Sequence, residues 1–304
     1  ESFRRSIEYS NRLSHYIEKY SPDHVFSLDI MTLVPFFPII NKKNVSVSGI
    51  VYDIYLRNNN QRIRSVIASK LRFFILSKFR KFQSVFILND EMSASKLNEL
   101  YHTSKFKFLP DPFMLIGEGK TDFREDYNIS KNKIVFAHFG ALTERKGTLD
   151  ILEAITKLPA EYRNKYVFVL AGRVNPLIKQ RFYNYVNQID NDELLIINDC
   201  FCSFEYLASL CKASNAILMP YHDTSKSSGL IGYASQFATP VIAYRGGLLQ
   251  ELIEKFKLGY LVQSKEDLCE AFHKISENKV SPPCQMYCDE NNVDTFLNTI
   301  ISNM

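Results

Sequence analysis

Short apolar runs alternate along this chain with stretches in which apolar residues recur every three or four positions. The apolar runs predict buried strands at 24–29, 44–52, 84–89, 105–109, 133–140, 166–172, 194–198, 215–219 and 240–244. The periodic stretches predict helices at 1–20, 149–157, 182–189, 205–212, 264–274 and 293–301. Strands that alternate with helices are typical of βαβ units, so we expect an α/β protein with parallel sheets.

A polar stretch at 118–132 separates two sets of predicted strands. A chain of 304 residues is long enough for two domains, and we place the boundary in this stretch. The expected domains are 1–125 and 126–285, and a terminal helix within 286–304 is expected to cross back to the first domain.

Composition narrows the possible partners and compartments. The formal net charge of +4 is too small to indicate a nucleic-acid-binding protein. The six cysteines have spacings that match no zinc pattern, so we expect reduced thiols and no metal site. No apolar run reaches the length of a membrane span and no signal peptide is visible, which favours a cytoplasmic protein.

The stretch 213–247 predicts a strand, a polar loop, a helix and a second strand. Ser228 and Gly229 open the helical pattern at the carboxyl end of the first strand. A helix start in this place offers free backbone N–H groups and the positive end of the helix dipole to an anion. The hydroxyls of Ser225 and Ser228 are further donors. The alternative is an ordinary helix that Ser228 caps.

A second strand-to-helix loop carries adjacent basic residues. The strand at 133–140 ends in Gly140, and Arg145 and Lys146 follow in the loop before the next helix. Such a basic pair could neutralise a diphosphate without a metal ion. The alternative is a pair of ordinary exposed side chains. Three acids, Asp29, Asp53 and Asp90, also follow predicted strands, either at the rim of a cleft or as helix caps.

The segment 57–81 contains eight basic residues and no acid. They are Arg57, Arg62, Arg64, Lys70, Arg72, Lys78, Arg80 and Lys81. Large apolar residues interleave with them at roughly helical spacing. A basic amphipathic helix is typical of a membrane-surface element, here one that binds an anionic membrane. Two alternatives stay open: a helix packed on its own domain with a solvated basic face, and a cluster that attracts an anionic substrate.

Several motifs in order carry a family resemblance. They are FG-x5-KG, EYLASLCKASNAILMP, SSGLIGYASQFATPVIA, GGLLQELIE and LGYLV, within about residues 130–265. They resemble the donor-binding domain of GT-B glycosyltransferases of the retaining family-4 type. GIVYDIY and FLPDPF are similar to later parts of that family's acceptor-binding domain. The resemblance implies two Rossmann-like, doubly wound parallel-sheet domains that face a cleft. The family's first strand and glycine-rich loop are not in the sequence, which begins at Glu1, so we expect an incomplete amino-terminal domain.

The resemblance also implies roles for residues that match the family motifs. It implies donor binding by Gly140, Arg145, Lys146, Phe201, Cys202, Ser228, Gly229, Leu230 and Tyr233. Within this set, Arg145, Lys146 and the helix start contact the diphosphate, while Phe201 and Cys202 lie near the nucleobase. No metal and no cofactor besides the nucleotide-sugar substrate is implied.

Two family glutamates are absent. Their positions are occupied by Ser225, near the transferred sugar, and Tyr233, which could offer a hydroxyl to the donor ribose. We expect Asp223 to replace the first carboxylate. The family's His-Asp pair is Tyr52-Asp53 here, so Asp53 is retained and, with Asp223, is a candidate catalytic residue.

The resemblance implies transfer of a sugar from a nucleotide sugar to a glycan or lipid-linked acceptor in cell-surface polysaccharide synthesis. Retention of configuration, no metal and a peripheral position on the inner face of the membrane are expected. Two alternatives remain. The missing glutamates favour a non-catalytic relative that binds a nucleotide sugar or a protein partner, and another GT-B enzyme, such as a nucleotide-sugar epimerase, has the same fold.

Overall fold

The computed structural model describes residues 2–57, 63–189, 194–277 and 286–304. The chain divides into two compact units, Glu1–Pro112 with Asn291–Met304, and Phe113–Glu290. The division at Pro112 precedes the polar stretch expected to form the boundary. That stretch packs on the second unit, where the Thr121 carbonyl accepts a hydrogen bond from the Ser209 hydroxyl.

The strands and helices are numbered in chain order through both units. The strands are β1 (His24–Ser27), β2 (Ser46–Val51), β3 (Phe82–Leu88), β4 (Phe106–Leu109), β5 (Ile134–Phe139), β6 (Tyr166–Ala171), β7 (Leu195–Asn198), β8 (Ala216–Met219), β9 (Val241–Tyr244) and β10 (Gly259–Val262). The helices are α1 (Ser2–Tyr20), α2 (Phe37–Ile40), α3 (Ile63–Lys78), α4 (Glu91–Tyr101), α5 (Phe123–Asp126), α6 (Thr148–Thr156), α7 (Ala160–Arg163), α8 (Lys179–Val186), α9 (Phe204–Ala213), α10 (Leu230–Gln236), α11 (Gly247–Lys255), α12 (Leu268–Ser276), α13 (Met286–Glu290) and α14 (Val293–Ser302).

The first unit is built on a parallel sheet in the order β1-β2-β3-β4. Phe73 and Leu76 of α3 are buried in the same core as Val85 of β3. The terminal helix α14 belongs to this unit, and its Ile300 joins a small apolar cluster with Phe86. Helices on a parallel sheet therefore form this unit, as the alternating pattern predicts.

The second unit has a six-stranded parallel sheet in the order β10-β9-β8-β5-β6-β7. Alternate residues of β5 feed cores on opposite faces: Val135 and Ala137 belong to one cluster and Phe136 to the other. Burial on both faces explains why the strands are continuous apolar runs. This is the doubly wound order, and its direction reverses between β5 and β8. The predicted fold class is confirmed.

Helix α3 differs from the expected amphipathic helix. Its inner face consists of Phe73 and Leu76, with Val66 and Ile75 half-buried. The apolar residues Ile63, Ile67, Leu71, Phe74 and Phe79 are exposed. The helix thus has two apolar faces, one buried and one exposed. The spacing of its apolar residues in the sequence indicated a single apolar face. Within the described ranges, no helix combines the length and apolar character needed to cross a membrane.

Candidate functional site

Most of the predicted donor residues of the second unit follow β5 and β8, while Phe201 and Cys202 follow β7. Strands β5 and β8 are neighbours at the point where the strand order reverses. Ligands of doubly wound sheets bind in the crevice at this point, because the connections to the two strands leave on opposite faces. Gly140 follows β5, and the loop 220–229 follows β8. The topology therefore brings together two motifs that are far apart in sequence.

Gly140 makes room for the Lys146 side chain. Its backbone is in a left-handed conformation, with φ of 92°. A Cβ atom on this residue would lie 2.8 Å from Lys146 Nζ. Only glycine adopts this conformation readily and leaves this space open. The ammonium group consequently occupies a niche at the end of β5.

A short 3₁₀ turn, Glu144–Lys146, places Arg145 and Lys146. The Thr143 hydroxyl accepts a 3.3 Å hydrogen bond from the Lys146 N–H at the start of the turn. Gly147 ends it with φ of 69°, and a Cβ atom there would lie 2.0 Å from the Pro220 carbonyl oxygen. The turn is thus packed directly on the loop that follows β8.

Lys146 and Arg145 form a cation pair. The Lys146 ammonium lies 5.6 Å from the centroid of the Tyr221 ring. Burial and, to a lesser degree, the Arg145 charge lower the pKa of Lys146. Among the residues that the structure describes, neither side chain forms an ion pair with a carboxylate. Two adjacent cations, one half-buried and neither in a direct ion pair with a carboxylate of the described residues, are suited to a bound anion.

The loop after β8 carries Asp223. One of its oxygens accepts hydrogen bonds from the Ser225 N–H at 3.1 Å and from the Ser225 hydroxyl at 2.5 Å. Burial raises the pKa of Asp223, but the Ser225 hydrogen bonds and the Lys226 and Arg145 charges together hold it below its usual value. Ser225, at the position of the family's first glutamate, therefore orients a neighbouring carboxylate.

The start of α10 is open. The Ser228 hydroxyl accepts a long, 3.4 Å hydrogen bond from the Leu230 N–H. Gly229 has an ordinary φ of −58°, and a Cβ atom there would meet nothing within 4 Å. There is space for a ligand beside Gly229, although its backbone conformation does not require glycine.

Tyr233 of α10 is largely a packing residue. Its ring meets Phe113 and Phe139 edge to face, with centroids 5.2 and 5.7 Å away. Burial raises the pKa of its hydroxyl, which stays protonated at neutral pH. A contact from this hydroxyl to a donor ribose stays a prediction.

Phe201 and Cys202 follow β7, the edge strand on the far side of β6. The Phe201 side chain is 82% exposed, so its ring is free to stack on a planar group. Burial, and then the neighbouring Cys200, raise the pKa of the Cys202 thiol to about 11. Cys202 is therefore a neutral thiol and no nucleophile at pH 7. A nucleobase contact from these residues stays a prediction.

The three acids that follow strands of the first unit differ in role. Asp29 caps a 3₁₀ turn by accepting from the Met31 N–H, and Asp90 caps α4 by accepting from the Ser93 N–H. Asp90 is also buried in a bidentate ion pair with Arg57. Asp53 is exposed after β2. The helix-cap alternative is thus confirmed for Asp29 and Asp90, and a catalytic role of Asp53 stays a prediction.

Metal chemistry has no obvious ligand set here. Across the described ranges, no three His, Cys, Asp or Glu side chains are grouped so that they could hold a metal ion. The five described cysteines, at 200, 202, 211, 269 and 288, are free thiols. Metal-independent activity stays a prediction.

Sequence reasoning missed the residues that support the basic turn. Tyr221 is buried and presents its ring to Lys146, and His222 donates its backbone N–H to the Arg145 carbonyl at 2.9 Å. The Asp150 carboxylate accepts hydrogen bonds from the His222 side chain and from the Tyr244 hydroxyl. These contacts join residues up to 94 positions apart, and no local pattern signals them.

The sequence model of the glycosyl transferases group 1 matches residues 119–293, more than half of the chain. A search of curated proteins found no match.

Many solved structures have the same fold. WaaG, a glycosyltransferase involved in lipopolysaccharide biosynthesis, is 14% identical with a TM-score of 0.69, over 98% of this chain and 82% of WaaG. HepE of Anabaena, solved with UDP and glucose, is 14% identical with a TM-score of 0.74, over 96% of this chain and 80% of HepE. Sucrose-phosphate synthase of Thermosynechococcus elongatus is 17% identical with a TM-score of 0.68, over 97% of this chain and 73% of the synthase. At these identities the likeness establishes the shared fold.

Proposed function

The chain belongs to the family of glycosyl transferases group 1, and we propose that this glycosyltransferase moves a sugar from a nucleotide sugar to a glycan or lipid-linked acceptor. We place the reaction in cell-surface polysaccharide synthesis. It proceeds with retention and without a metal ion. UDP is the first nucleotide to test, because HepE was solved with UDP and glucose. The lipopolysaccharide context of WaaG supports the choice of acceptor class.

The cation pair Arg145–Lys146 carries this proposal. It stands at the switch point of the second unit, where a Rossmann-like sheet binds its ligand. A nucleoside diphosphate brings two or more negative charges to this place. The two side chains supply a fork of guanidinium donors and a compact ammonium group, which bind phosphate oxygens in complementary ways.

The chemical step follows from the charge that it creates. The bond between the anomeric carbon and the β-phosphate oxygen breaks, and the nucleoside diphosphate leaves with the bonding electrons. Lys146 and Arg145, fixed before the reaction begins, stabilise the charge that develops on that oxygen. The open space beside Gly229 leaves room for a phosphate oxygen at the start of α10. Lys146 and Arg145 perform the part that a divalent cation would otherwise play.

The acceptor hydroxyl then bonds to the anomeric carbon and gives its proton to a phosphate oxygen of the leaving group. Retention requires that the hydroxyl attacks from the face that the leaving group vacates, so this oxygen is within reach. We assign Asp223 the role of stabilising the positive charge on the sugar, because its carboxylate is ionised and oriented by Ser225. We assign Asp53 to the acceptor hydroxyl.

We also propose that α3 binds the surface of an anionic membrane. Ile63, Ile67, Leu71 and Phe74 are 79, 62, 53 and 47% exposed. At 100° per residue they form a stripe about 80° wide on the face opposite Phe73 and Leu76. Burial of this stripe in the acyl boundary would stabilise attachment, and Arg64 and Lys70 flank it on either side.

We expect the basic residues of 57–81 to contribute less to membrane attachment than their number indicated. Arg57 is bound to Asp90, Lys81 donates to the Asn41 carbonyl, and Lys78 donates to the Tyr101 carbonyl. Arg62 lies outside the described residues. We therefore attribute attachment mainly to the apolar stripe and expect the flanking charges to add about 1 kcal/mol each.

Release of nucleoside diphosphate tests the function. Purified protein is incubated with a panel of nucleotide sugars in EDTA, with and without membrane extracts that contain glycan acceptors. We expect release from one donor only when acceptor is present, at a rate that EDTA leaves unchanged. Activity that returns only with magnesium or manganese would contradict the metal-free step. No acceptor-dependent release from any donor, by protein that binds one of them, would contradict transfer.

A further inference from the structure

The Asp150 carboxylate links three segments of the second unit near the carboxyl ends of β5, β8 and β9. Asp150 lies in the first turn of α6, and its Oδ2 accepts a 2.7 Å hydrogen bond from His222 Nε2. The same oxygen accepts a 2.7 Å hydrogen bond from the Tyr244 hydroxyl. His222 belongs to the loop after β8, and Tyr244 ends β9. One oxygen atom therefore links the helix after β5, the loop after β8 and the end of β9.

This group is attached to the turn that carries the cation pair. The His222 backbone N–H donates to the Arg145 carbonyl at 2.9 Å, while its side chain is bound to Asp150. Asp150 itself is only four positions beyond Lys146, after Gly147, which packs against the Pro220 carbonyl. Holding the His222 imidazole therefore also holds the backbone of the Arg145–Lys146 turn.

Asp150 is the shielded member of this group, whereas the His222 side chain is 45% exposed. The Asp150 side chain is 17% exposed. The imidazole lies nearly parallel to the Tyr244 ring, with centroids 6.1 Å apart and an angle of 14°. Burial and the Asp150 carboxylate raise the pKa of Tyr244, so its hydroxyl remains a donor. Partial burial of the Asp150 carboxylate and the Tyr244 hydroxyl strengthens the hydrogen bond between them relative to the same bond in water.

We propose that Asp150, His222 and Tyr244 are positioning residues that hold the Arg145–Lys146 turn in its anion-binding shape before the donor arrives. This inference rests on the proposed function of the same site. The three residues act through the turn and need no contact with the donor.

The physical reason is the repulsion within the turn. Two adjacent cations favour conformations that separate them, and such motion would have to be reversed when a diphosphate binds. If residues outside the turn already hold it in place, binding does not have to order it, and the diphosphate binds more tightly. The two hydrogen bonds to Asp150, together with the bond from the His222 N–H to the Arg145 carbonyl, fix the turn in this way.

Binding of UDP and of inorganic pyrophosphate to the full chain tests the inference. Pyrophosphate reports on the diphosphate subsite whatever the natural base is. Tyr244→Phe removes one hydroxyl and nothing else, and Asp150→Asn weakens the shared acceptor. We expect each variant to lose about 3- to 10-fold in affinity for both probes, the worth of one hydrogen bond. The nucleoside uridine should bind Tyr244→Phe as it binds the wild type.

Tyr166→Phe is the matched control. Tyr166 is the first residue of β6, and its hydroxyl donates a 3.2 Å hydrogen bond to Ser276 Oγ. It therefore lies at the amino-terminal ends of the strands, away from the candidate site at their carboxyl ends. Its loss should leave both affinities unchanged, even where it lowers the melting temperature as much as Tyr244→Phe does. A merely structural role of Tyr244 would lower the melting temperature and leave the affinity of the folded protein intact.

A double-mutant cycle tests whether the effect passes through the turn. In a Lys146→Ala background, Tyr244→Phe should change affinity by less than twofold. Equal losses in both backgrounds would overturn the inference. Wild-type affinity of Tyr244→Phe and Asp150→Asn, with Lys146→Ala weakened, would overturn it and leave the proposed function standing. Unchanged affinity of Lys146→Ala itself would overturn both.

Discussion

At the residue scale, the Arg145–Lys146 pair is surrounded by partners from distant parts of the chain. Arg145 and Lys146 were predicted because a basic pair on a strand-to-helix loop is a local feature. The structure adds what a local feature cannot contain: the Gly140 niche, the Tyr221 ring and the Asp150 carboxylate. These partners are brought close by the sheet, so only the fold reveals them.

His138 shows how such a hidden residue affects stability. It is fully buried in β5, with Nδ1 bonded to the Leu218 carbonyl and Nε2 to the Thr148 hydroxyl, both at 2.9 Å. Burial lowers its pKa to about 4, with a smaller part from Lys146. An unfolded histidine has a pKa near 6.5, so the unfolded state binds the proton first as the pH falls.

We therefore predict that the second unit loses stability on acidification. The contribution of His138 is complete above pH 6.5 and disappears as the pH falls towards 4. Between pH 7 and 5 the loss is about 2 kcal/mol, from about 1.4 kcal/mol per unit. Urea unfolding at these two pH values measures it, with His138→Gln as the comparison. A variant with the same pH dependence as the wild type would show that His138 does not titrate in this way.

At the element scale, strands were predicted more securely than helix faces. A strand buried on both faces is a continuous apolar run, which needs no knowledge of its neighbours; β6 and β8 are examples. A helix with apolar residues on two sides gives no such information. The interior side of α3 is fixed by Phe73 and Leu76, which fit the sheet, and periodicity alone did not distinguish them from Leu71 and Phe74.

The exposed stripe of α3 leads to a prediction about membrane attachment. Ile67→Ser with Leu71→Ser should lower binding to anionic vesicles at least tenfold, because each leucine-sized side chain contributes about 1.5–3 kcal/mol when buried. Lys70→Gln should have a smaller effect that fades as salt rises. Sedimentation with liposomes rich in phosphatidylglycerol measures both.

Leu100→Ser provides the control for this prediction. Leu100 lies on α4 of the same unit and is 53% exposed, as is Leu71. Its replacement should leave vesicle binding unchanged. If the double serine variant still sediments like the wild type, α3 is an ordinary packed helix with an exposed apolar side, and the membrane proposal fails.

At the scale of the whole molecule, the two units contain different functional residues. The second unit has the reversed strand order, the cation pair and the oriented Asp223, which we propose as the donor site. The first unit has Asp53 and the exposed stripe of α3. The sequence predicted both sheets and the family, because the motifs of the second unit follow one another in a fixed order. It did not predict that Gly140 makes room for Lys146, since that depends on the turn packing on the loop after β8.

Calorimetric titration of Lys146→Ala tests the central claim most directly. The titrant is the tightest binder among UDP, ADP, GDP and dTDP. Lys165→Ala is the control, since its ammonium also lies 5.6 Å from a tyrosine ring but before β6, at the opposite edge of the sheet. We predict that Lys146→Ala weakens binding by about 1.5–3 kcal/mol, or roughly 10- to 150-fold, and that Lys165→Ala binds like the wild type. Equal affinity of wild type and folded Lys146→Ala would contradict the assignment of the donor site.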